Sequence, residues 1–281
     1  AYGINVDEIV IENSGTITKD EVNKNQEVIN NVNILNEDNV LENLEQYQTN
    51  SGYYSYTTTK PEIYNIDGKE KLVYISPREI VSNDTRTYNN KTYEYTHGYG
   101  AIISSANSVD ENGNLEYIQS DFKGEDNKVK ITQPRIYFGL QTNEPIVTNA
   151  KNKQEYDYPL TSTTSNTNTY EGKAGLKLGF LDRIILGVKE KNLGIAFSGN
   201  VTKESRIITT RNIITRAKTI MPYLMYDENP YMVIDDDGNQ IWVLDAYTVS
   251  SNYPYSQYTA IEHDGIKEKI NYIRNSVKVI I

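Results

Sequence analysis

Four aromatic or imidazole side chains alternate along one short stretch of the chain, at Tyr93, Tyr95, His97 and Tyr99. If this stretch is a β-strand, residues two apart project from the same face of the sheet. The four side chains would then form an aromatic binding strip, with His97 as a proton donor or acceptor. The alternative is a structural aromatic face that packs on a helix and holds a hydrogen-bonded His97. We favour the structural interpretation and retain the four residues as binding candidates.

A second candidate for chemistry is Asp245, which lies with Tyr247 on an otherwise apolar face of a predicted strand. Such a carboxylate needs a partner, because an unpaired buried charge is costly. We expect Arg274 or a backbone N–H of the loop Tyr253–Gln257 to be that partner. A glycosidase-type acid is the alternative, and it would need a second carboxylate at a defined separation. The binding candidates of this region are Asp245, Tyr247, Tyr253 and Tyr255.

Three consecutive aspartates, Asp235, Asp236 and Asp237, precede Gly238 and suggest a calcium loop, because Ca²⁺ binds several oxygen ligands. The EF-hand spacing fails, since Val233 would occupy the first ligand position. A solvated hairpin turn is the expected structure, because Asp-Gly between strand-like runs is a strong hairpin signal. We therefore expect no cofactor and no metal, with calcium at Asp235 and Asp237 as the one alternative.

Positive charge is concentrated in one part of an acidic chain. Ten Lys and Arg residues against three acidic ones give residues 173–218 a net charge of +7, whereas the whole chain carries −10. Such an island either pairs with the acidic body or docks on anionic lipid headgroups, at about 1 kcal/mol per basic residue near the surface. The membrane-surface candidates are Lys177, Arg183, Lys189, Lys191, Arg206, Arg211 and Arg216.

The composition excludes several classes of function. An acidic chain is a poor partner for nucleic acid, whose phosphates bind Lys and Arg. The absence of cysteine excludes disulfides, thiolate catalysis and Cys-ligated zinc. No apolar run reaches the roughly 18 residues that span a bilayer. We therefore expect a soluble region whose export or anchoring signals lie outside it.

Local patterns predict an α+β fold with a mixed or mainly antiparallel sheet and helices packed on it. Thr18 and Glu21 form a capping-box pattern at a helix start, and a second helix is expected from Asn36. Asp67-Gly68 predicts a hairpin. The other predicted elements are strands at Ile4–Ile11 and Tyr93–Ile103, a strand pair at Ile131–Leu140 and Pro145–Ala150, a polar loop at Leu160–Thr169, helices at Gly175–Val188 and Thr202–Met221, and a hairpin of Tyr231–Ile234 with Ile241–Leu244.

These elements divide the chain into four segments. Residues 1–50 form a helical lead-in, 51–160 a strand-rich part, 161–230 the basic helical part, and 231–281 the hairpin and C-terminal strand.

Several sequence runs occur in a fixed order along the chain: YTHGYG at 95–100, QPRIYFG at 133–139, EYDYP at 155–159, YEG at 170–172, ESR at 204–206, WVLDAYT at 242–248, YPYSQ at 253–257 and NYIRNSVK at 271–278. The set resembles Uncharacterised Protein Family 0182, a family of large bacterial membrane proteins. The resemblance implies a bundle of N-terminal transmembrane helices followed by a large extracytoplasmic region. This chain is similar to the front of that region and is C-terminally incomplete. The family has no established activity, so the resemblance implies no catalytic residue.

The leading hypothesis is a non-enzymatic extracytoplasmic module at the cell membrane, which binds or organises an envelope component or a protein partner. Its expected partners are the protein's own transmembrane part, the missing C-terminal region, and a membrane surface or envelope component, but not nucleic acid. One alternative is an envelope hydrolase acting on glycan or peptide, with Asp245 or Asp157 and His97 as its reactive groups. Another is the outer domain of a transporter.

Overall fold

A computed structural model describes residues 15–16, 18–48, 53–81, 87–122, 128–161, 163–263 and 266–281. The predicted strand Ile4–Ile11 lies outside them. The helices are α1 (Lys19–Lys24), α2 (Gln26–Ile29), α3 (Glu37–Gln48), α4 (Phe180–Lys189), α5 (Leu193–Phe197) and α6 (Ile213–Ile220), with a π-helix at Asn90–Glu94.

The strands, in chain order, are β1 (Tyr54–Ser55), β2 (Lys60–Ile66), β3 (Lys69–Pro77), β4 (Glu79–Ile80), β5 (Gly98–Tyr99), β6 (Ala101–Val109), β7 (Leu115–Gln119), β8 (Arg135–Ile136), β9 (Ile146–Thr148), β10 (Glu155–Pro159), β11 (Ser165–Asn168), β12 (Arg206–Ile208), β13 (Met225–Tyr226), β14 (Tyr231–Ile234), β15 (Gln240–Ser250), β16 (Thr259–His263), β17 (Ile266–Ile270) and β18 (Tyr272–Ile280). The named strand pairs are antiparallel, which confirms the α+β prediction. Among the described residues, every helix is too short or too polar to cross a bilayer.

The first sheet has the order β2-β3-β6-β7 and carries α3 on one face. Asp67 and Gly68 both have positive φ, at 52° and 79°, as a tight type I′ hairpin turn requires. Val40 and Leu44 of α3 are buried against Tyr74 and Ile102 of the sheet. At the chain start, the Thr18 hydroxyl accepts from the Glu21 N–H at 3.3 Å, and the Glu21 carboxylate accepts from the Thr18 N–H at 2.7 Å. The capping box and the Asp-Gly hairpin are therefore confirmed.

The second sheet is built on β15, with β13 and β14 along one edge and β18 along the other. Trp242 and Leu244 of β15 are buried against Ile213 and Ala217 of α6. The Trp242 indole N–H donates to the Phe138 carbonyl at 2.9 Å and ties this sheet to the middle of the chain. The predicted hairpin is confirmed, and the C-terminal strand pairs with its second strand.

Several predicted elements are wrong, through local contacts in two cases and long-range strand pairing in the third. The expected polar loop Leu160–Thr169 contains β11, which pairs with β10. The expected strand pair does not form, because β8 pairs with β5 and β9 pairs with β12. The predicted helix Thr202–Met221 is β12 followed by α6, because Asn212 caps the helix by accepting from the Thr215 N–H at 3.0 Å.

Candidate functional site

Three of the quoted motifs meet at one buried cluster of charged and polar side chains. YTHGYG contributes Thr96 and His97, just before β5, and QPRIYFG contributes Arg135 from β8. EYDYP contributes Glu155 and Asp157 from β10. We call this cluster the charge network, and define it by Thr96, His97, Arg135, Tyr137, Glu155 and Asp157.

Asp157 is the centre of the network, and neither its side chain nor that of His97 has exposed surface (0% each). Its carboxylate lies 2.9 Å from His97 Nε2 and accepts two bonds from Arg135, at 2.9 Å from Nε and 2.8 Å from Nη2. Asn166 Nδ2 donates to it at 3.2 Å. Burial alone would raise the pKa of Asp157, but the bonds from His97 and Arg135 outweigh burial and hold that pKa below its usual range.

Glu155 forms the second carboxylate of the network, on the other side of the His97 ring. Its Oε2 accepts from Thr96 Oγ1 at 3.0 Å and from the Tyr137 hydroxyl at 2.5 Å, and it lies 3.5 Å from His97 Nδ1. The two carboxylates thus bracket one imidazole. Burial, followed by the neighbouring Glu155 charge, raises the pKa of Tyr137, so its hydroxyl keeps the proton that it donates.

Arg211 is buried beside this network and fixes the backbone around it. Its guanidinium donates to the carbonyls of Tyr137 at 2.9 Å and Glu144 at 3.2 Å, and also to the carbonyl of Thr96. Burial lowers the pKa of Arg211 to about 10, which leaves it charged at neutral pH. The prediction of Arg211 as a membrane-surface residue is therefore wrong. A count of charges along the sequence cannot separate an exposed arginine from one that binds buried carbonyls.

Two glycines of the motifs allow the segments to approach one another. A Cβ on Gly98 would lie 2.0 Å from the Arg78 carbonyl oxygen, and a Cβ on Gly139 would lie 2.0 Å from Glu79 Oε2. Glu79 itself is buried and accepts from Thr57 Oγ1 at 2.8 Å and from the Gln141 N–H at 2.9 Å. Burial raises its pKa. Gly98 is thus required by the approach of the Arg78 backbone, and Gly139 by the buried Glu79 side chain.

The alternating aromatic strip does not form, because the stretch is not one strand. Tyr93 is in the π-helix and is buried, with its hydroxyl donating to Ser198 Oγ at 2.8 Å. Tyr95 stacks on Tyr53 at 4.9 Å between ring centres, while Tyr99 packs on Tyr158 at 4.9 Å. The regular spacing predicted a strand, but the strand begins only at Gly98.

The charge network reaches the surface at Arg135, whose side chain is 24% exposed. Arg135 lines a groove of about 250 Å³ together with Tyr137, Phe138, Trp242 and Ile281. The Arg135 guanidinium already donates to Asp157. The groove is therefore lined by aromatic side chains and by an arginine that is paired within the protein.

Asp245 has a different partner from the predicted one. It pairs with Lys278 of β18 at 2.7 Å, not with Arg274, and the Lys278 ammonium also donates to the Tyr231 hydroxyl at 3.0 Å. The two charged side chains are 35% and 58% exposed. Arg274 lies in β18 near a register shift of the β15–β18 ladder, whereas Lys278 lies directly opposite Asp245. The Asp245 and His97 side chains therefore belong to separate interactions.

This exposure sets the expected effect of removing the charge at position 245. We expect Asp245→Asn to lower the free energy of unfolding by less than about 1 kcal/mol, because solvent-exposed ion pairs contribute little. Urea denaturation of the parent and the variant measures the difference. A loss of several kcal/mol would instead assign Asp245 a buried role.

Asp235 stabilises the β14–β15 turn through hydrogen bonds of its carboxylate. Asp235 accepts from the Asn239 N–H at 2.7 Å and from its amide Nδ2 at 2.9 Å. Gly238 has a φ of 86°, and a Cβ there would lie 2.7 Å from the Lys130 carbonyl oxygen. In the part of the chain that the structure describes, no three His, Asp or Glu side chains gather at metal-binding spacing.

Of the remaining membrane-surface candidates, three arginines contact other groups of the protein and three lysines are exposed. Arg206 donates to the carbonyls of Lys173 and Gly175, and Arg183 donates to the carbonyl of Val201. The Arg216 guanidinium lies over the Phe138 ring at 4.7 Å. Lys177 is exposed and pairs with Glu204 at 3.1 Å, and Lys189 and Lys191 are exposed on the surface.

Large apolar side chains are exposed together along α4 and α5. The Phe180 and Phe197 rings are 6.5 Å apart, which joins the two helices into one apolar surface. The exposed fractions of these side chains run from 52% for Leu193 to 72% for Leu181. We call this surface the α4–α5 face, and define it by Leu176, Phe180, Leu181, Ile185, Val188, Leu193 and Phe197. The helix prediction for this segment is correct from Phe180 onward.

The family model of the Uncharacterised protein family (UPF0182) matches residues 1–281. The chain belongs to UPF0182. Among its relatives, a UPF0182 protein of Clostridium tetani is 41% identical over 98% of this chain, one of Clostridium perfringens is 38% identical over 99%, and one of Alkaliphilus metalliredigens is 38% identical over 100%. The chain spans about 30% of the length of these relatives. No solved structure matches it.

Sequence reasoning on UPF0182 missed part of the network. Four members lie in the quoted motifs, which was the available signal, but are not among the sequence-based candidates: Thr96, Arg135, Tyr137 and Glu155. Beside the network, Glu79 carried no such signal, and the sequence placed Arg211 on the surface instead, because the partners of both residues are distant along the chain.

Acid is expected to destabilise the UPF0182 chain through Asp157. A carboxyl whose pKa in the folded state lies below its unfolded value of about 3.9 stabilises the protein above that pH. This contribution is lost as the pH falls through the depressed folded pKa. Urea denaturation at a series of pH values should therefore give a steeper decline below about pH 4 for the parent than for Asp157→Asn. Parallel declines would exclude Asp157 as the titrating group.

Proposed function

We propose that this chain is a non-catalytic, extracytoplasmic module of a longer bacterial membrane protein, and that its α4–α5 face rests on an anionic membrane surface. Membership of UPF0182 and relatives about three times as long as the chain support a part of a larger protein. The observation that carries the proposal is the exposed α4–α5 face.

The α4–α5 face is large and contiguous for a surface that faces water. Leu181, Ile185 and Val188 follow one another at helical spacing, and each is more than three-fifths exposed. Extended apolar patches on soluble proteins mark interaction sites. A short amphipathic helix with apolar residues on one side and lysines nearby is the arrangement that lies in the headgroup region of a bilayer.

Charge favours an anionic bilayer as the occupant of this face. Exposed lysines lie among the apolar residues and on either side of them, at positions 173, 177, 189, 191 and 203, and of these Lys177 pairs with Glu204. Each basic residue near an anionic surface contributes about 1 kcal/mol. The rest of the chain is acidic, so anionic lipid would attract this part of the molecule and repel the remainder. A specific orientation on the membrane follows.

The charge network supports a structural module over the alternative of a hydrolase. His97 and Asp157 have no exposed side-chain surface, and both are engaged by protein groups. A general acid or base must reach a proton of the substrate within hydrogen-bond distance. Asp245, the other carboxylate considered for such a site, pairs with Lys278. The network instead fixes the geometry of the segments around it.

Flotation with lipid vesicles tests this proposal. The chain is mixed at low salt with vesicles of phosphatidylcholine that contain phosphatidylglycerol, and in parallel with vesicles of phosphatidylcholine alone. We expect flotation with the anionic vesicles, and a decrease as salt is added, because salt screens the lysines. A chain that stays at the bottom of the gradient with anionic vesicles at low salt would overturn the proposal, and the α4–α5 face would then contact protein.

A further inference from the structure

A two-stranded arm extends from the second sheet. Its described residues are 247–263 and 266–276. The end of β15 pairs with the start of β18 to form a ribbon, and the loop 251–258 and the hairpin β16–β17 lie between these two strands in the chain. The side chains from Tyr272 to Ser276 are exposed on both faces of the ribbon. Two-stranded ribbons are marginal on their own in water, because they bury little apolar surface.

The loop 251–258 is nevertheless held in one conformation by Asn271. Its Oδ1 accepts from the Tyr253 N–H at 3.1 Å, and its Nδ2 donates to the Tyr253 carbonyl at 2.7 Å. The Ser256 hydroxyl donates to the Asn271 carbonyl at 2.6 Å, and the Asn271 N–H donates to the Ser250 carbonyl at 2.9 Å. Tyr253 also stacks on Tyr272, with 4.3 Å between ring centres.

With the loop held by these contacts of Asn271 and Tyr253, Tyr255 faces solvent. Tyr255 has a φ of 62°, an uncommon value for a residue other than glycine, and its side chain is fully exposed. Such backbone strain persists only where surrounding contacts impose it, and it clusters at binding and catalytic sites. Tyr258 is exposed on the same loop. An exposed tyrosine on a fixed backbone binds a partner with little loss of conformational entropy, because its side chain has few rotatable bonds.

The composition of the loop indicates a protein surface as its partner. Residues 247–258 contain no charged residue and consist mainly of Tyr, Ser, Asn and Thr. These residue types dominate the binding loops of antibodies, where Tyr supplies contact area and Ser and Asn supply adaptable hydrogen bonds. A loop without Lys or Arg is poorly suited to lipid phosphate, so this loop and the α4–α5 face require different partners.

We infer that this arm docks, through Tyr255 and Tyr258, on the part of the same polypeptide that lies outside residues 1–281. The inference rests on the proposed function in one respect, namely that the chain is part of a longer protein. Its relatives are about three times as long, so the larger part of such a polypeptide is available as a partner. Contact within one chain is favoured by a high effective concentration.

Cysteine labelling of the full-length polypeptide, in a cysteine-free background and purified in detergent, tests this inference. The rate of reaction with a maleimide is measured for Gln257→Cys and, as a second probe, for Asn252→Cys, two exposed positions of the loop that leave Tyr255 and Tyr258 in place. Asp236→Cys is the matched control, since this residue is exposed in the β14–β15 turn. We expect both arm positions to react at least tenfold more slowly than position 236.

Equal rates at the three positions would overturn the inference, because the arm would then be free or would bind a separate protein lost on purification. Protection that disappears on dilution would also overturn it, in favour of a second copy. Protection that is independent of concentration supports docking within the chain. Because no vesicle is present, the result is separate from that of the flotation assay.

Discussion

Replacement of Asp157 by asparagine is expected to lower the free energy of unfolding by about 3–5 kcal/mol, the range found when one partner of a buried ion pair is removed. The carboxylate accepts from His97, from both donor positions of Arg135 and from Asn166. An amide presents one acceptor oxygen in place of two and adds an N–H₂ group that faces these donors. The buried cluster would therefore lose several bonds and gain an unfavourable contact.

Thermal and urea unfolding measure this loss, with Asp236→Asn as the matched control. Asp236 is an exposed aspartate in the β14–β15 turn, so the same chemical change there should stay within about 0.5 kcal/mol. Equal stabilities for the parent and Asp157→Asn would contradict the structural role of the network. A well-folded variant that also bound vesicles normally would separate the network from the membrane contact.

The second large effect concerns the α4–α5 face. We expect the double variant Leu181→Glu and Ile185→Glu to bind anionic vesicles at least 100-fold more weakly than the parent. Each large apolar side chain contributes roughly 1.5–3 kcal/mol when fully buried, and tenfold in affinity corresponds to about 1.4 kcal/mol. The added negative charges also oppose anionic lipid. Vesicle sedimentation over a range of lipid concentrations gives the two affinities.

Folding should be unchanged in this variant, because both side chains are exposed in the folded chain. Val109→Glu is the control, since Val109 is an exposed apolar residue at the end of β6, in the first sheet. We expect this control to bind vesicles as the parent does. Parent-like binding of the α4 variant would assign the membrane contact to another surface.

Features decided by neighbouring residues could be predicted from the sequence. The Thr18 capping box needs only the side chain of Glu21, three residues away, and the Asp67-Gly68 hairpin needs only two residues that accept positive φ. The hairpin of β14 and β15 is of the same kind. In each case the determining contact is local, so the residue types identify it.

Features decided by distant contacts could not be predicted. His97 and Asp157 are 60 positions apart, and only the pairing of β5 with β8 and the position of β10 bring them together. The alternating tyrosines at 93–99 fitted a strand by spacing, yet Tyr93 packs toward α5 and Tyr99 toward β10. Arg211 shows the same limit for charge, because burial and three backbone carbonyls decide its role.

A fluorophore on Ile185→Cys tests the central claim most directly, since the parent chain contains no cysteine to compete for the label. An environment-sensitive dye at this position reports contact with lipid, and the same dye on Val109→Cys serves as the reference. On addition of anionic vesicles, we predict a blue shift and protection from an aqueous quencher at position 185 and neither change at position 109. Unchanged emission and full quenching at position 185 would contradict the membrane-surface module.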